Sequence, residues 1–175
     1  MIYRILQEPE INRHLFYGFI RRQKVDLCWR RSKDQWIIKS DPFTDDWDET
    51  DYSSLIASLK ETVLLGGAVF GAFENERLTG FASVPPQRLG SCAQYLSLEN
   101  LFVSEPFRGN GVGTRLFLLC ADWAREHGGK RLYISAHSAV ETQAFYRGLG
   151  CIEAQEYSRK HVEKEPFDCQ LEYPL

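Results

Sequence analysis

Arg108-Gly109-Asn110-Gly111-Val112-Gly113-Thr114 sets three glycines at alternate positions between an arginine and a threonine. Glycine has no Cβ, so such a stretch lets another molecule approach several backbone amides. The segment opens a run with apolar residues at helical spacing. At a helix start the first amides lack intrahelical partners and the dipole is positive. A pyrophosphate suits that place, with Arg108 adding charge at the rim. A P-loop would continue Gly-Lys-Ser/Thr, whereas this chain reads Gly113-Thr114-Arg115. A dinucleotide fingerprint needs G-x-G-x-x-G with an acidic residue ~20 positions on, and the spacing here is different. The plain structural use of the same glycines is a tight turn that brings helix and sheet together.

Other residue types with chemical potential are less ordered. His161-x-Glu163 with Asp168 has metal-ligand character, but such side chains are common in any charged segment, so no metal is expected. The five cysteines (Cys28, Cys92, Cys120, Cys151, Cys169) are odd in number and form no C-x-x-C pair. They read as reduced thiols, mostly small core hydrophobes. Cys151 lies nearest the glycine segment, yet no histidine beside it marks an activated nucleophile. Asp41 to Asp51 carries six acidic residues around Phe43 and Trp47. That segment suits a polycationic guest, and equally well a solvated acidic loop.

Elements must position these groups. MIYRIL alternates as a first strand and Pro9 to Phe19 suits a helix. WRRSKDQW has the look of a hairpin, and the acidic stretch after it is too polar and turn-rich for a core element. Leu55, Ile56, Leu59 and Val63 lie on one face of a helix over Tyr52 to Val63. AVFGAF and LTGFASV read as two strands around the ENER turn. Gln94 to Val103 is expected as one long strand closed by a turn at Pro106. Val112, Leu116, Leu119, Cys120 and Trp123 then form the buried stripe of a Gly111–His127 helix, stopped by Gly128-Gly129. RLYISA is a further strand and Glu141 to Leu149 a further helix. Segments near Ala154–Tyr157 and Asp168–Glu172 complete the sheet. The order gives an α/β class with a strand–loop–helix–strand unit at its centre.

Arg108-x-x-Gly-x-Gly closely resembles the coenzyme A pyrophosphate loop of the GNAT superfamily of N-acetyltransferases. LSLENLFVSEPF before it resembles that family's fourth core strand, and AVETQAFYRGLGC after it resembles a helix carrying the family's tyrosine. The match covers about residues 98 to 151, and the flanking parts agree in element order. Where many members have asparagine, seven residues before the tyrosine, this chain has Ala139, with Ser138 or Thr142 as substitutes. The resemblance implies a central mixed, mostly antiparallel sheet flanked by helices, and acetyl-CoA as cosubstrate on Arg108, Gly109, Asn110, Gly111, Val112, Gly113 and Thr114. It further implies that Leu101, Phe102 and Val103 form an exposed strand edge, with a backbone amide near Val103 aimed at the thioester oxygen. Tyr146 matches the tyrosine that protonates the departing thiolate. Glu99, on the same strand as the edge, has the chemistry to take a proton from the acceptor ammonium.

Length and composition fit this reading. The 175 residues suffice for one domain with a real core, expected to span 1–175. A net charge of −3 and no Lys/Arg cluster argue against nucleic acid. No run approaches the ~18 apolar residues of a spanning helix, and the first residues do not read as a signal peptide, so no membrane partner and a cytoplasmic place are expected. The acceptor is expected to be the primary amine of a small molecule, with the C-terminal segment HVEKEPFDCQLEY as a further candidate to line its side of the site, and the chain is compatible with a homodimer. A non-catalytic acetyl-CoA-sensing domain is the alternative.

Overall fold

The computed structural model describes residues 1–33 and 35–175. In chain order the strands are β1 (Ile2–Ile5), β2 (Gln23–Ser32), β3 (Gln35–Asp45), β4 (Ala68–Glu74), β5 (Arg77–Val84), β6 (Arg88–Leu89), β7 (Tyr95–Ser97), β8 (Asn100–Val103), β9 (Arg131–Ala136), β10 (Ile152–Glu153) and β11 (Cys169–Pro174). The α-helices are α1 (Glu49–Leu64), α2 (Val112–Glu126), α3 (Val140–Gly148) and α4 (Arg159–Lys164).

β4 and β5 are buried almost throughout, and the hairpin between them turns at Asn75-Glu76. Their side chains alternate between two cores. Phe70, Ala72, Ala82 and Val84 meet α2, while Val69, Phe73, Leu78 and Phe81 meet α1 and the N-terminal turns. Helix α2 buries Val112, Leu116, Phe117, Cys120, Ala121 and Ala124, a 3.6-residue stripe that lies on this sheet. It sits close because Gly80 has no side chain: a Cβ there would come within 3.0–3.1 Å of Leu116, Val112 and the Phe102 carbonyl. Leu116 is wholly buried, so its truncation to alanine would cost about 2–5 kcal/mol.

The expected mixed, mostly antiparallel architecture is present, divided into two sheets. One has the order β1-β4-β5-β8 and the other β10-β11-β9-β7-β6, in which only β7–β9 is parallel. β2 and β3 form a separate long hairpin, bridged to the start of α3 through Cys28 and Ala139. Among the described residues no helix is long and apolar enough to cross a membrane.

Three expectations change. Pro9 to Phe19 is not an α-helix but two short 3-10 turns, Glu8–Glu10 and Arg13–Phe16. The Asn12 side chain accepts from the amides of His14 and Leu15, which starts a new turn where a helix would have continued. Asp41–Asp45, expected to be turn-rich and outside the core, is outside the core but regular: it extends β3 along β2 as a largely exposed hairpin arm. The single long strand over Gln94–Val103 is broken in two. Leu98 donates its amide to Tyr133 on β9, whereas Glu99 donates to Ser83 on β5. The chain changes sheets between these two residues, and the sheets part there.

Candidate active site

That parting opens the molecule. β8 is the edge of its sheet, and its pairing with β5 uses alternate backbone groups, as the Ser104 amide on the Thr79 carbonyl at 2.8 Å fixes. The amides and carbonyls of Leu101 and Val103 therefore point away from β5, into the gap. The glycine segment follows one turn later. Gly109 and Gly111 have φ of 76° and 77°, the left-handed region that disfavours side chains. A Cβ at either would meet nothing within 4 Å, so neither is glycine for want of space inside the protein. Their conformation turns the loop so that α2 begins at Val112 with no side-chain cap. The first amides of α2 thus lack intramolecular partners.

A cavity of about 910 Å³ runs along this line, walled by Leu101, Phe102, Val103, Gly109, Gly111, Gly113, Thr114 and Tyr146, with Lys24 at one side. Its size suits an extended ligand, and open amides beside Lys24 suit phosphate. Asn110 and Val112 are not among its walls. Asn110 turns its side chain to the Arg108 carbonyl, and Val112 is buried in the core. Arg108 lines this cavity and has a structural part as well. Its guanidinium donates to the carbonyls of Val103, Arg22 and Arg21 at 2.8–2.9 Å, tying the loop to the edge strand and to the chain entering β2. Burial lowers its pKa.

A second cavity of about 740 Å³ lies across the same edge and shares Arg21, Gln23, Leu101, Phe102, Thr142 and Tyr146 with the first. Tyr146 is buried between Phe117 and Phe145 at the seam of the two. Burial raises its phenol pKa, so it holds its proton at neutral pH. Glu99 lines only the second cavity. Its carboxylate lies 3.4 Å from His161 Nε2, and this contact, opposed by burial, holds its pKa below the usual range. The remaining walls include Asp45, Trp47, His137, Glu165 and Asp168. His137 is pushed by burial toward its neutral form, and its Nδ1 accepts from the Ala139 amide at 3.1 Å.

The acidic segment turns out to be occupied with its own structure. Asp41 pairs with Arg30, Asp45 with the buried Arg21, and Glu49 with Arg13. Asp48 caps α1 and Asp51 returns the capping box. Trp47 is wedged among Phe19, Tyr52, Phe81 and Phe102, with its ring 4.7 Å from that of Phe102. Trp47 nevertheless keeps a face on the second cavity, together with Asp45 and Asp51. Ala139 also has its reason: it is fully buried under Val25 and Cys28 of the hairpin, where a larger side chain would not fit. Of the two substitutes, Ser138 is taken by Arg30, and Thr142 faces both cavities. Cys151 is buried, lines neither cavity, and has its pKa pushed up to about 12, which removes it as a nucleophile. Among the described residues no three His, Cys, Asp or Glu side chains gather as metal ligands.

Arg21 and His137 carried no site signal in the sequence, whereas His161 and Asp168 stood out there as metal-ligand types and as members of the HVEKEPFDCQLEY segment. They arrive from a loop, a strand end, a six-residue helix and the start of the last strand, and only folding brings them together.

Comparison with known proteins agrees with this geometry. The sequence model of the Acetyltransferase (GNAT) family matches residues 32–151. Among solved structures, nourseothricin acetyltransferase superposes with a TM-score of 0.72 at 16% identity, covering 99% of this chain and 97% of that one. A putative streptothricin acetyltransferase from Bacillus anthracis str. Ames, in complex with acetyl coenzyme A, gives 0.71 at 16% identity over 99% and 98%. An aminoglycoside 6'-N-acetyltransferase complexed with coenzyme A gives 0.55 at 16% identity over 73% and 81%. No curated protein matches by sequence. The chain belongs to the GNAT acetyltransferase family, and is an acyltransferase.

Proposed function

From that membership we propose that residues 1–175 form a single acetyltransferase domain that moves acetyl from acetyl-CoA directly to the primary amine of a small cationic molecule. The carrying observation is that the two cavities meet at Tyr146 and the open edge of β8. One is suited to an extended phosphate-bearing donor, the other is lined by Asp45, Asp51, Glu99, Glu165 and Asp168 against Arg21 and Lys164. Acetyl-CoA supplies the activated acyl group, and the protein's residues hold and discharge it. The amides of Gly109–Thr114 take the pyrophosphate, and Lys24 adds charge. The outward amides of Leu101 and Val103 pair with the pantetheine arm and polarise the thioester oxygen without moving during the reaction.

Tyr146 donates to the departing thiolate. A thiol has pKa ~8.5 in water and a phenol ~10, and burial raises both, so the phenol stays protonated until the C–S bond weakens. Glu99, held ionised beside His161, provides the anion that draws in the ammonium. No activated cysteine stands at the seam, which favours direct attack over an acyl-enzyme.

The test is a panel of spermidine, lysine, an aminoglycoside and a streptothricin, each given with acetyl-CoA while free thiol is followed. Amine-dependent thiol release is expected, fastest with cationic polyamines. Tight acetyl-CoA binding with no release from any amine would support the alternative, a sensing domain.

A further inference from the structure

We propose that Asp168 is the base of this site: it takes the proton from the acceptor ammonium, while Glu99 fixes the ammonium in place. This rests on the transferase reading above.

The geometry begins with a buried chain of hydrogen bonds. The Ser158 amide donates to Tyr133 Oη at 2.9 Å, and Tyr133 donates to Gln170 Oε1. Gln170 Nε2 donates to Ser135 Oγ at 3.0 Å, and Ser135 donates to Asp168 Oδ2 at 3.1 Å. Tyr133 and Gln170 are shut away from solvent. Because Gln170 occupies a lone pair of the Ser135 oxygen, the serine hydrogen is directed onto Asp168. The other carboxylate oxygen accepts no hydrogen bond from the described residues, and Asp168 is a wall of the acceptor cavity that also holds Tyr146. The chain continues the other way through Ser158 Oγ, 2.7 Å from His161 Nδ1, to His161 Nε2 beside Glu99. One network therefore seats both carboxylates on the same cavity and gives them different partners.

Those partners set them apart as acids. Glu99 is pulled down by His161, whereas burial pushes Asp168 up to about 6 against the donation from Ser135. Glu165 raises it further, and His161 and Lys164 on α4 lower it. From β9 it faces Ser135, from the turn after β9 His137, from β11 Gln170, and from α3 Tyr146, whose phenol its charge helps keep protonated. An efficient base has a pKa near the working pH, and each pKa unit is tenfold in proton occupancy, so the proton goes to Asp168 in preference to Glu99. His137 is not a rival, since its Nδ1 already accepts from the Ala139 amide and a neutral ring then carries its hydrogen on Nε2.

The protons balance. The ammonium gives one proton to Asp168, which later releases it to water. The freed nitrogen forms the C–N bond with the acetyl carbon and the C–S bond breaks. Tyr146 protonates the thiolate, and the second nitrogen proton, through solvent, restores the phenol. Ammonium and thioester become amide, thiol and one released proton.

The experiment is the pH dependence of kcat/KM with acetyl-CoA and the fastest amine of the panel. The parent should reach a plateau above about pH 6, the value at which Asp168 ionises. In Asp168→Asn the plateau should vanish, with kcat/KM down roughly 100-fold at pH 7 and climbing about tenfold per pH unit as the amine loses its proton unaided. Ser135→Ala, which removes the hydrogen bond to the charged carboxylate, should move the acid limb to higher pH, and Glu99→Gln should lower the plateau while leaving the acid limb at the same pH. An Asp168→Asn profile parallel to the parent's, or a limb unmoved in Ser135→Ala, overturns the assignment. Thiol release from the parent with an unchanged variant sinks Asp168 alone. Absence of release from every amine sinks the transferase reading, and Asp168 with it.

Discussion

The two cavities that meet at Tyr146 are built from different materials. On the donor side the groups proposed to hold the ligand are mostly main chain: the amides of the Gly109–Thr114 loop and the outward groups of Leu101 and Val103, all residues of the cavity lining or its loop. Side chains there keep the backbone in place, as Arg108 does by holding three carbonyls. On the acceptor side the facing groups are side chains from β3, the β7–β8 junction, β9, α4 and β11. A backbone site needs residues that allow a conformation, so its signature is local in sequence. A side-chain site needs residues that converge in space, and its signature is scattered.

Substitutions can break that comparison at chosen points. Tyr146→Phe acts at the seam and should have the largest effect, a kcat lower by roughly 100-fold with acetyl-CoA affinity unchanged, because proton donation matters only as the thiolate leaves. Unaltered turnover would leave Tyr146 a packing residue beside Phe117. Gly111→Val acts on the donor side only. Forcing a β-branched residue to φ 77° costs about 1–3 kcal/mol, so Kd for acetyl-CoA should rise roughly 10- to 100-fold by calorimetry. Equal affinity would remove the loop from phosphate binding.

Glu99→Gln acts on the acceptor side only. Losing one charged contact of about 1–2 kcal/mol should raise KM for a cationic amine roughly 5- to 20-fold, with kcat nearly kept. The lowered Glu99 pKa fixes the sign of its pH dependence: the group is ionised above the usual carboxylate range, so the KM difference should be constant across the neutral range, where the amine keeps its charge. A difference that changes across that window would mean Glu99 titrates there after all. Asp48→Ala is the smallest case and belongs to neither cavity. Loss of an N-cap costs about 1 kcal/mol, near 2–4 °C in Tm for a chain of this size, with kinetic constants unchanged. A raised KM for polyamines in this variant would restore the acidic segment as a recruiting surface.

The same contrast explains what could be read from the sequence. The glycine loop, the α2 stripe and the tyrosine helix each follow from local rules of backbone freedom and periodicity, and their elements lie where the sequence places them. The long strand over Gln94–Val103 did not reveal its break, because nothing in LSLEN marks a change of partner: Leu98 and Glu99 are ordinary strand residues whose amides go to different sheets. In the 41–51 segment composition does not divide the roles, since Asp48, which caps α1, and Asp41 and Glu49, which pair with Arg30 and Arg13, look the same in sequence as Asp45 and Asp51, which line the second cavity. Asp168 was legible only as a member of a charged segment. Its hydrogen-bond chain runs through Ser135 and Gln170, opposite each other on paired strands but more than thirty residues apart.

The shared walls Arg21, Gln23, Leu101, Phe102, Thr142 and Tyr146 join the two cavities along one seam. Under the proposed function each substrate has a cavity of its own and the two meet only at that seam, so neither has to vacate its place for the other to bind. The break between Leu98 and Glu99, a single change of strand partner, is what gives one chain room for two guests at once.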